Sequence, residues 1–172
     1  MKHCVKPAVV LLVAVIALAA CKSGPDATSG ASKSRSSSAV ADSTDFADVV
    51  GMDWRLVQIR RASGRIEINR DKPAAEGGEI FTLRFEDGRV SGLGAPNRYF
   101  GPYTLADNQA ISMGQMASTQ MATFREPEEL KEHEYYAYLN NVSRWSLSGG
   151  NLELHSKGTD GAEAVLVFAA VR

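Results

Sequence analysis

Hydrophobic and polar positions alternate with a period of two over much of the chain after residue 45. The clearest case is residues 80–85, where Phe81, Leu83 and Phe85 fall on one face. Because successive side chains of a strand point to opposite faces, this alternation predicts a strand with one buried face. The Asp-Gly pair at 87–88 predicts a tight hairpin turn into the next strand.

Further short strands are predicted on both sides of this hairpin. They cover residues 54–59, 89–91, 101–105, 111–113, 144–147, 152–155 and 164–169. Asp107-Asn108, Gly149-Gly150 and Asp160-Gly161 supply turn signals between them, whereas residues 60–78 form a polar excursion. This spacing indicates an α+β protein, mainly antiparallel β, with a meander curled into a sheet or partial barrel.

One helix is predicted to interrupt the strands, over residues 127–142. Pro127 suits its first turn, where a missing N–H costs nothing, and several glutamates lie near its positive end. Tyr135, Leu139 and Val142 recur at helical spacing and form one stripe. We expect this stripe to pack on the sheet; a tyrosine-lined ligand groove is the alternative.

The N-terminal segment has the pattern of an export signal. Lys2 and Lys6 precede an uncharged apolar run over residues 8–18. Such a run rises only about 16 Å as a helix, well short of a hydrocarbon core of about 30 Å, so a signal peptide is favoured over a membrane span. The sequence Leu-Ala-Ala-Cys at 18–21 resembles a bacterial lipobox, which predicts a lipoprotein signal peptide over residues 1–20 and a lipidated Cys21. An ordinary signal peptide followed by a chance cysteine is the alternative.

A tether is predicted between the lipid and the folded domain. Residues 22–45 contain eight serines and no Leu, Ile or aromatic side chain, too little apolar surface to offset the entropy of ordering. As a random coil this stretch has a root-mean-square span of about 25–30 Å. Residues 46–172 remain for one domain. Lys22 follows the cysteine where an Asp would resemble an inner-membrane retention signal, which favours the outer membrane.

Composition removes several classes of function. The chain carries 19 Lys+Arg against 20 Asp+Glu, a balance that gives no reason to expect nucleic acid as a partner. Both cysteines, Cys4 and Cys21, precede the predicted domain. A cysteine zinc site or a thiol nucleophile within the domain is therefore excluded.

Four segments resemble, in the same order, landmarks of the META domain family, to which the HslJ-type heat-shock lipoproteins belong. They are the Trp-Arg-Leu start at 54–56, the run VSGLGAPNRYFGPY at 90–103, the STQMA segment at 118–122, and the helix and closing strands at 132–154. The resemblance covers residues 54–168. It implies a part in envelope stress tolerance or secretion.

The chain departs from the family at one point. Many members carry Gly-Cys-Asn where this chain has Ala95-Pro96-Asn97, and a second cysteine where it has Thr123. Both are missing together, so any disulfide between those positions in relatives is absent here. A redox or metal role is not carried over.

The polar residues form no catalytic pattern. His133 and His155 lack any motif spacing around them, and a surface position is expected for each. The glutamates at 126, 128, 129, 132 and 134 do not share one helix face, so a solvated helix start explains them better than a metal site. We therefore expect no enzymatic activity, no cofactor and no metal.

The candidate binding residues are Asn97, Arg98 and Tyr103, in a loop predicted over residues 97–103. For Asn97 we favour a structural role after a turn, and Tyr103 is expected to pack in the sheet. Arg98 is the residue to test first, because its planar guanidinium can engage a carboxylate or a phosphate.

These observations predict a non-enzymatic envelope lipoprotein with a META/HslJ-like domain, held in the outer membrane by acyl chains such as palmitate on Cys21. Membrane lipid and an envelope protein are the expected partners, and a monomer is the expected state. A carrier of small apolar ligands is one alternative, testable by an internal cavity. A protein-binding assembly adaptor is the other, and it predicts an exposed apolar patch or sheet edge.

Overall fold

The computed structural model describes residues 45–70, 78–121 and 127–171. Within these ranges the strands are β1 (Asp53–Arg61), β2 (Gly64–Glu67), β3 (Thr82–Glu86), β4 (Arg89–Leu93), β5 (Arg98–Ala106), β6 (Ala110–Met113), β7 (Ala117–Ser118), β8 (Arg144–Ser148), β9 (Asn151–Lys157) and β10 (Glu163–Ala170). The helix α1 (Glu132–Asn140) lies between β7 and β8, and a short 3-10 helix (Phe46–Asp48) precedes β1. Cys21, the signal peptide and nearly all of the predicted tether lie outside the described residues.

Eight of the described strands close into an antiparallel barrel in the order β1, β3, β4, β5, β6, β8, β9, β10. The ring is closed by β10, which pairs with β1 from Trp54 opposite Ala170 to Arg61 opposite Ala164. β2 pairs with the second half of β1, and β7 pairs with the start of β5. The predicted antiparallel, barrel-like sheet with one helix is therefore confirmed, and the sheet proves to be fully closed.

Large apolar side chains fill the barrel interior, because alternate residues of each strand point inward. On β3 these are Leu83 and Phe85, as the alternation predicts. Phe81 is buried too, although it lies before β3 with φ +48. The largest fully buried side chains include Trp54, Leu56, Ile59, Phe81, Leu83, Phe85, Tyr99, Tyr135, Leu152 and Phe168. Each such burial stabilises the fold by about 1.5–3 kcal/mol relative to an exposed side chain.

The 3-10 helix closes one end of the barrel. Asp45 caps it by accepting a hydrogen bond from the Ala47 N–H at 2.9 Å. The ring of Phe46 then packs edge-on against Phe85 and Trp145, with centroids 5.1 and 4.9 Å away. The Phe46 ring therefore covers this end of the core.

Helix α1 covers the opposite end, where β9 ends and β3 begins. Tyr135 and Leu139 are fully buried, and Val142 beyond the helix is buried as well. The Ser156 hydroxyl of β9 donates to the Tyr138 carbonyl at 2.6 Å. The predicted stripe packs into the core, so its tyrosines do not line an open groove.

The helix is shorter at its start than predicted. Lys131 is extended and forms the N-cap, and its N–H donates to the Glu134 side chain at 2.8 Å, which is one half of a capping box. Because the helix begins at Glu132, Pro127 precedes it and is not in its first turn. The Lys131 ammonium donates to the Pro127 carbonyl at 2.9 Å. Proline and glutamate suit the last residues before a helix as well as its first turn, and composition alone misplaces the boundary.

Two short strands were not predicted. β2 lies in the segment predicted to be a polar excursion, and β7 has only two residues. β5 begins at Arg98, so the predicted loop over residues 97–103 is mostly strand. Among the described residues, no helix combines the length and the apolar character that crossing a bilayer requires.

Candidate functional site

Asn97 is buried, and its side-chain amide is fully engaged. The amide oxygen accepts from the Thr119 hydroxyl at 2.9 Å and from the Met121 N–H at 2.6 Å. The amide nitrogen donates to Glu132 Oε2 at 2.7 Å and to the Met121 carbonyl at 3.3 Å. These bonds tie the start of β5 to the segment after β7 and to α1.

Glu132, the first residue of α1, holds the turn before β5. Its Oε1 accepts from the N–H groups of Ala95 and Asn97, both at 2.7 Å. The turn packs so tightly on this carboxylate that a Cβ on Gly94 would lie 2.6 Å from the Tyr136 hydroxyl. We refer to Asn97, Glu132, Thr119 and Met121 as the Asn97 network.

Tyr103 faces the barrel interior on β5, as expected. Its ring contacts Phe85 with centroids 5.0 Å apart and Phe46 with centroids 5.6 Å apart. Burial is the main cause that raises the pKa of this tyrosine. The side chain helps to close the end of the core beneath the 3-10 helix.

Arg98 alone among the three candidate residues points outward into solvent. Its N–H donates to the Thr119 hydroxyl at 3.1 Å, while its guanidinium makes no hydrogen bond or ion pair with the described residues. Asn97 and Tyr103 lie on the inner side of the same stretch of chain. The structure therefore does not bring the three candidates into one site.

An open groove of about 510 Å³ lies over the outer face of β3, β4 and β5. Arg98 is in its lining, together with outward-facing residues of all three strands. The lining includes the side chains of Thr82, Arg84, Arg89, Ser91, Arg98 and Phe100. Register explains their meeting, since Ser91 of β4 lies opposite both Arg84 of β3 and Phe100 of β5. We call this surface the β3–β5 groove.

Phe100 and Arg89 form a raised platform beside Arg98. The Phe100 side chain is 47% exposed, and the Arg89 guanidinium lies 4.3 Å above its ring in a cation–π contact. A second hollow of about 340 Å³ lies on the other side of the platform and includes Pro102 and Gln115 in its lining. An aromatic ring under a cation is thus presented between two concave surfaces.

Arg84, in contrast, has its charge balanced within the β3–β5 groove. Its Nη1 lies 3.1 Å from Asp53 Oδ1, and its Nε donates to Glu86 Oε1 at 3.0 Å. The Asp53 hydrogen bond, followed by that of Glu86, raises the pKa of Arg84. Arg89 and Arg98 are therefore the cations of this groove that lack a carboxylate partner among the described residues.

Sequence reasoning selected Arg98 and missed Arg89 and Phe100. Treating residues 97–103 as a loop hid the signal, because period two starting at Arg98 places Phe100 and Pro102 on the same outward face. Arg89 lies in a predicted strand, but no binding role is predicted for it, because its contact with Phe100 depends on the pairing of β4 with β5.

A buried tyrosine pair joins the wall of the barrel beneath this groove to α1. The hydroxyls of Tyr99 and Tyr135 lie 3.0 Å apart, and both donate to the Thr82 carbonyl, at 2.8 and 3.3 Å. Desolvation raises the pKa values of both tyrosines well above their usual range. Both phenols therefore remain neutral in the folded protein at moderately alkaline pH.

The two histidines within the described residues lie apart from the β3–β5 groove. His133 is exposed on α1. His155 is half-buried on β9, with its Nε2 3.2 Å from the Ser146 hydroxyl, and desolvation is the main cause that lowers its pKa. Glu153, two residues before it, forms an ion pair with Arg60 at 2.6 Å.

The comparison with protein families now identifies the domain. The family model described as "META domain" matches residues 47–170, which includes the whole barrel. The chain belongs to the META domain family. Among curated proteins, none matches the sequence.

Solved structures support the fold. The chain is similar to "the protein from Burkholderia xenovorans", an NMR structure, with 23% identity, a TM-score of 0.55, and coverage of 73% of this chain and 86% of that chain. It also matches a "duf4847 family protein" from Bacteroides vulgatus, with 18% identity, a TM-score of 0.48, and coverage of 72% and 95%. The first likeness supports the fold of the META domain.

Proposed function

We propose that this META domain protein is a lipoprotein of the bacterial cell envelope that acts by binding. In this proposal Cys21 carries the acyl chains, residues 22–45 act as a tether, and the barrel is the working part. The observation that supports binding most directly is the β3–β5 groove. There Arg98 and the platform of Arg89 on Phe100 present an exposed aromatic ring and two cations that lack a carboxylate partner among the described residues.

The groove favours binding over catalysis. The Thr82 hydroxyl accepts a hydrogen bond from the Leu93 N–H at 3.1 Å, so its oxygen is engaged in joining β3 to β4. Ser91 lies between Arg84 and Phe100 in register. A nucleophile needs an adjacent base to activate it. The described lining of the groove includes no histidine, and its carboxylates, Asp53 and Glu86, are both bound to Arg84.

The proposed location is the outer membrane. Lys22 after the cysteine supports that placement, and each buried methylene of an acyl chain adds about 0.8 kcal/mol to membrane attachment. A role in envelope stress tolerance or secretion follows from the family resemblance. A surface-exposed groove at the end of a tether suits both, because either role requires contact with other envelope components.

The protein-binding adaptor is favoured over the carrier of small apolar ligands. The interior positions of the barrel are occupied by large side chains such as Trp54, Tyr99 and Phe168, all at most 1% exposed. A carrier needs a concave apolar cavity for its cargo. The outer face, in contrast, offers Phe100 on an open surface, which is the kind of feature that an adaptor needs.

Lipid attachment is tested by labelling cells with a radioactive fatty acid. A Cys21→Ala variant is expected to lose the label and to remain unprocessed, because the acceptor thiol is gone. The matched control is Cys4→Ala, which removes the other cysteine of the chain and is expected to keep full labelling. Label retained on Cys21→Ala would overturn the anchoring part of the proposal.

A further inference from the structure

Arg98 and Arg89, the two cations of the β3–β5 groove without a carboxylate partner among the described residues, are related through Phe100 of β5. Arg98 and Phe100 are two residues apart on the same face, which places them about 7 Å apart along the strand. Arg89 brings its guanidinium to 4.3 Å above the Phe100 ring. The Arg98 backbone therefore lies one two-residue repeat along β5 from that of Phe100, and the Arg89 guanidinium reaches from β4 to stand over the Phe100 ring.

That spacing matches the side chains of an extended peptide. Alternate residues of an extended chain point the same way and repeat every 7 Å or so. We propose that the β3–β5 groove binds an extended acidic peptide segment in which two carboxylates, two residues apart, pair with Arg98 and Arg89. This inference rests on the proposed binding function and names the class of its partner.

The charges of the groove favour a peptide over a dense polyanion. Asp53 and Glu86 lie in the same groove, where they hold Arg84. A nucleic acid or a phosphate-rich membrane surface would bring further negative charge close to these two carboxylates. A peptide carries isolated carboxylates, so it can place them at Arg98 and Arg89 and present neutral groups elsewhere.

The binding mode follows from the closed sheet. β4 is paired on both sides, with β3 and β5, so its backbone groups are not available for an added strand. The peptide must then be held by side chains on the face of the sheet. Guanidinium groups suit this role, because two parallel N–H donors fit the two oxygens of one carboxylate. The exposed ring of Phe100 supplies apolar contact for the methylene groups of a glutamate.

The test is fluorescence polarisation with the full mature lipidated chain in nanodiscs of neutral phosphatidylcholine. The probe is a labelled Ser-Glu-Ser-Glu-Ser peptide, and the comparators are Ser-Gln-Ser-Gln-Ser and Ser-Glu-Glu-Ser-Ser. We expect the alternating glutamate peptide to bind most tightly and raised salt to weaken it. Equal binding of the glutamine peptide, or of the peptide with adjacent glutamates, would overturn the inference.

Variants place the binding on the surface. Arg98→Gln and Arg89→Gln are each expected to weaken binding of the alternating peptide by about tenfold. The matched control is Arg65→Gln, because Arg65 is an exposed arginine of β2 whose ion pair is with Glu67, away from the groove. The control should change affinity by less than about twofold. Equal losses in all three variants would mean that net charge, and not the groove, drives binding, and this would also overturn the inference.

Two further probes separate failure of this inference from failure of the proposed binding function. They are a single-stranded oligonucleotide and vesicles containing phosphatidylglycerol. Arg98-dependent binding to either probe, with none to the peptide, would overturn the peptide assignment and leave the groove as a binding site. Absence of binding to every probe by folded protein would overturn the inference, whereas fatty-acid labelling tests the anchor separately.

Discussion

Asn97 shows how one side chain can hold three parts of the chain in place. Its amide reaches Thr119, Met121 and Glu132, and Glu132 in turn accepts from the backbone before β5. A buried amide that satisfies several donors and acceptors contributes to stability mainly because removing it leaves them unpaired. The Asn97 network thereby fixes the start of β5, from which Arg98 points outward.

Replacing Asn97 by alanine should therefore destabilise the protein strongly. Asn97→Ala leaves the Met121 N–H and one Glu132 oxygen without their present partner, and we expect a loss of about 2–4 kcal/mol in the free energy of unfolding. Urea denaturation followed by circular dichroism measures it. Asn141→Ala is the control, since Asn141 is exposed and makes one side-chain bond, to the Ala137 carbonyl. A loss equal to that of the control would show that the network does not hold β5.

The tyrosine pair predicts how stability depends on alkaline pH. Burial raises the pKa values of Tyr99 and Tyr135 in the folded protein, whereas unfolded tyrosines ionise near pH 10. Above that pH the unfolded state binds fewer protons than the folded state, so stability is complete below about pH 10 and is lost as the pH rises. The expected loss is about 1.4 kcal/mol per pH unit for each tyrosine that keeps its proton.

Urea denaturation between pH 8 and pH 11.5 measures that slope. Tyr135→Phe should give a shallower decline than the parent, because one retained proton is removed. Loss of its hydrogen bond shifts the whole curve without changing the slope. An unchanged slope in the variant would contradict the assignment of Tyr135 as a protonated buried phenol.

At the scale of elements, β4 leaves no room for a side chain at Gly92, where it lies against β3. A Cβ there would lie 2.8 Å from the Tyr99 hydroxyl and closer still to the Thr82 carbonyl oxygen. That carbonyl belongs to the backbone and also accepts from both tyrosines, so it cannot move aside without breaking those bonds. The close contact between β3 and β4 therefore requires a residue without a side chain at position 92.

Gly92→Ala should accordingly destabilise the barrel by about 1–3 kcal/mol. Gly78→Ala is the matched control, because a Cβ at Gly78 would meet nothing within 4 Å and its φ is not positive. The control should stay within about 0.5 kcal/mol of the parent. Thermal unfolding of both variants measures the difference. Equal melting temperatures for the two would contradict the close approach of β4 to β3 at Gly92.

The strands that the sequence predicted are those with strong alternation or clear turn residues. Phe81, Leu83 and Phe85 identified the region of β3, and Asp87-Gly88 identified the turn to β4, where Gly88 has φ +67. β2 has one apolar residue, Ile66, and β7 has only Ala117 and Ser118, so neither has a periodic signal. β2 and β7 form because neighbouring strands pair with them, and a local sequence pattern carries no information about that pairing.

At the scale of the whole molecule, the closure of the barrel was beyond prediction. Alternation along β1 and β10 shows which side chains are buried but not that these distant strands pair with each other. The same limit applies to the candidate site. Arg98 could be selected because its guanidinium chemistry is evident from the sequence. That Arg89 and Phe100 lie near it depends on the pairing of β4 with β5, which the sequence does not reveal.

A closed and filled barrel also predicts where ligands can act. Among the described residues, Phe46 covers one end of the filled interior and α1 the other, so the proposed binding is assigned to the outer face of β3, β4 and β5. We therefore expect function to depend on outward side chains and stability on inward ones. Arg98→Gln should change the melting temperature by less than 2 °C or so, because its guanidinium makes no bond to the described residues. A melting temperature lowered as far as in Asn97→Ala would contradict this separation.

The most direct test of binding at the β3–β5 groove is a titration of the ¹⁵N-labelled mature chain with the alternating glutamate peptide, followed by amide chemical shifts. We expect the largest shifts at Arg84, Arg89, Ser91, Arg98 and Phe100 on the outer face. Shifts concentrated at interior positions of the opposite wall, such as Leu154 and Phe168, would contradict it. So would a spectrum that the peptide leaves unchanged.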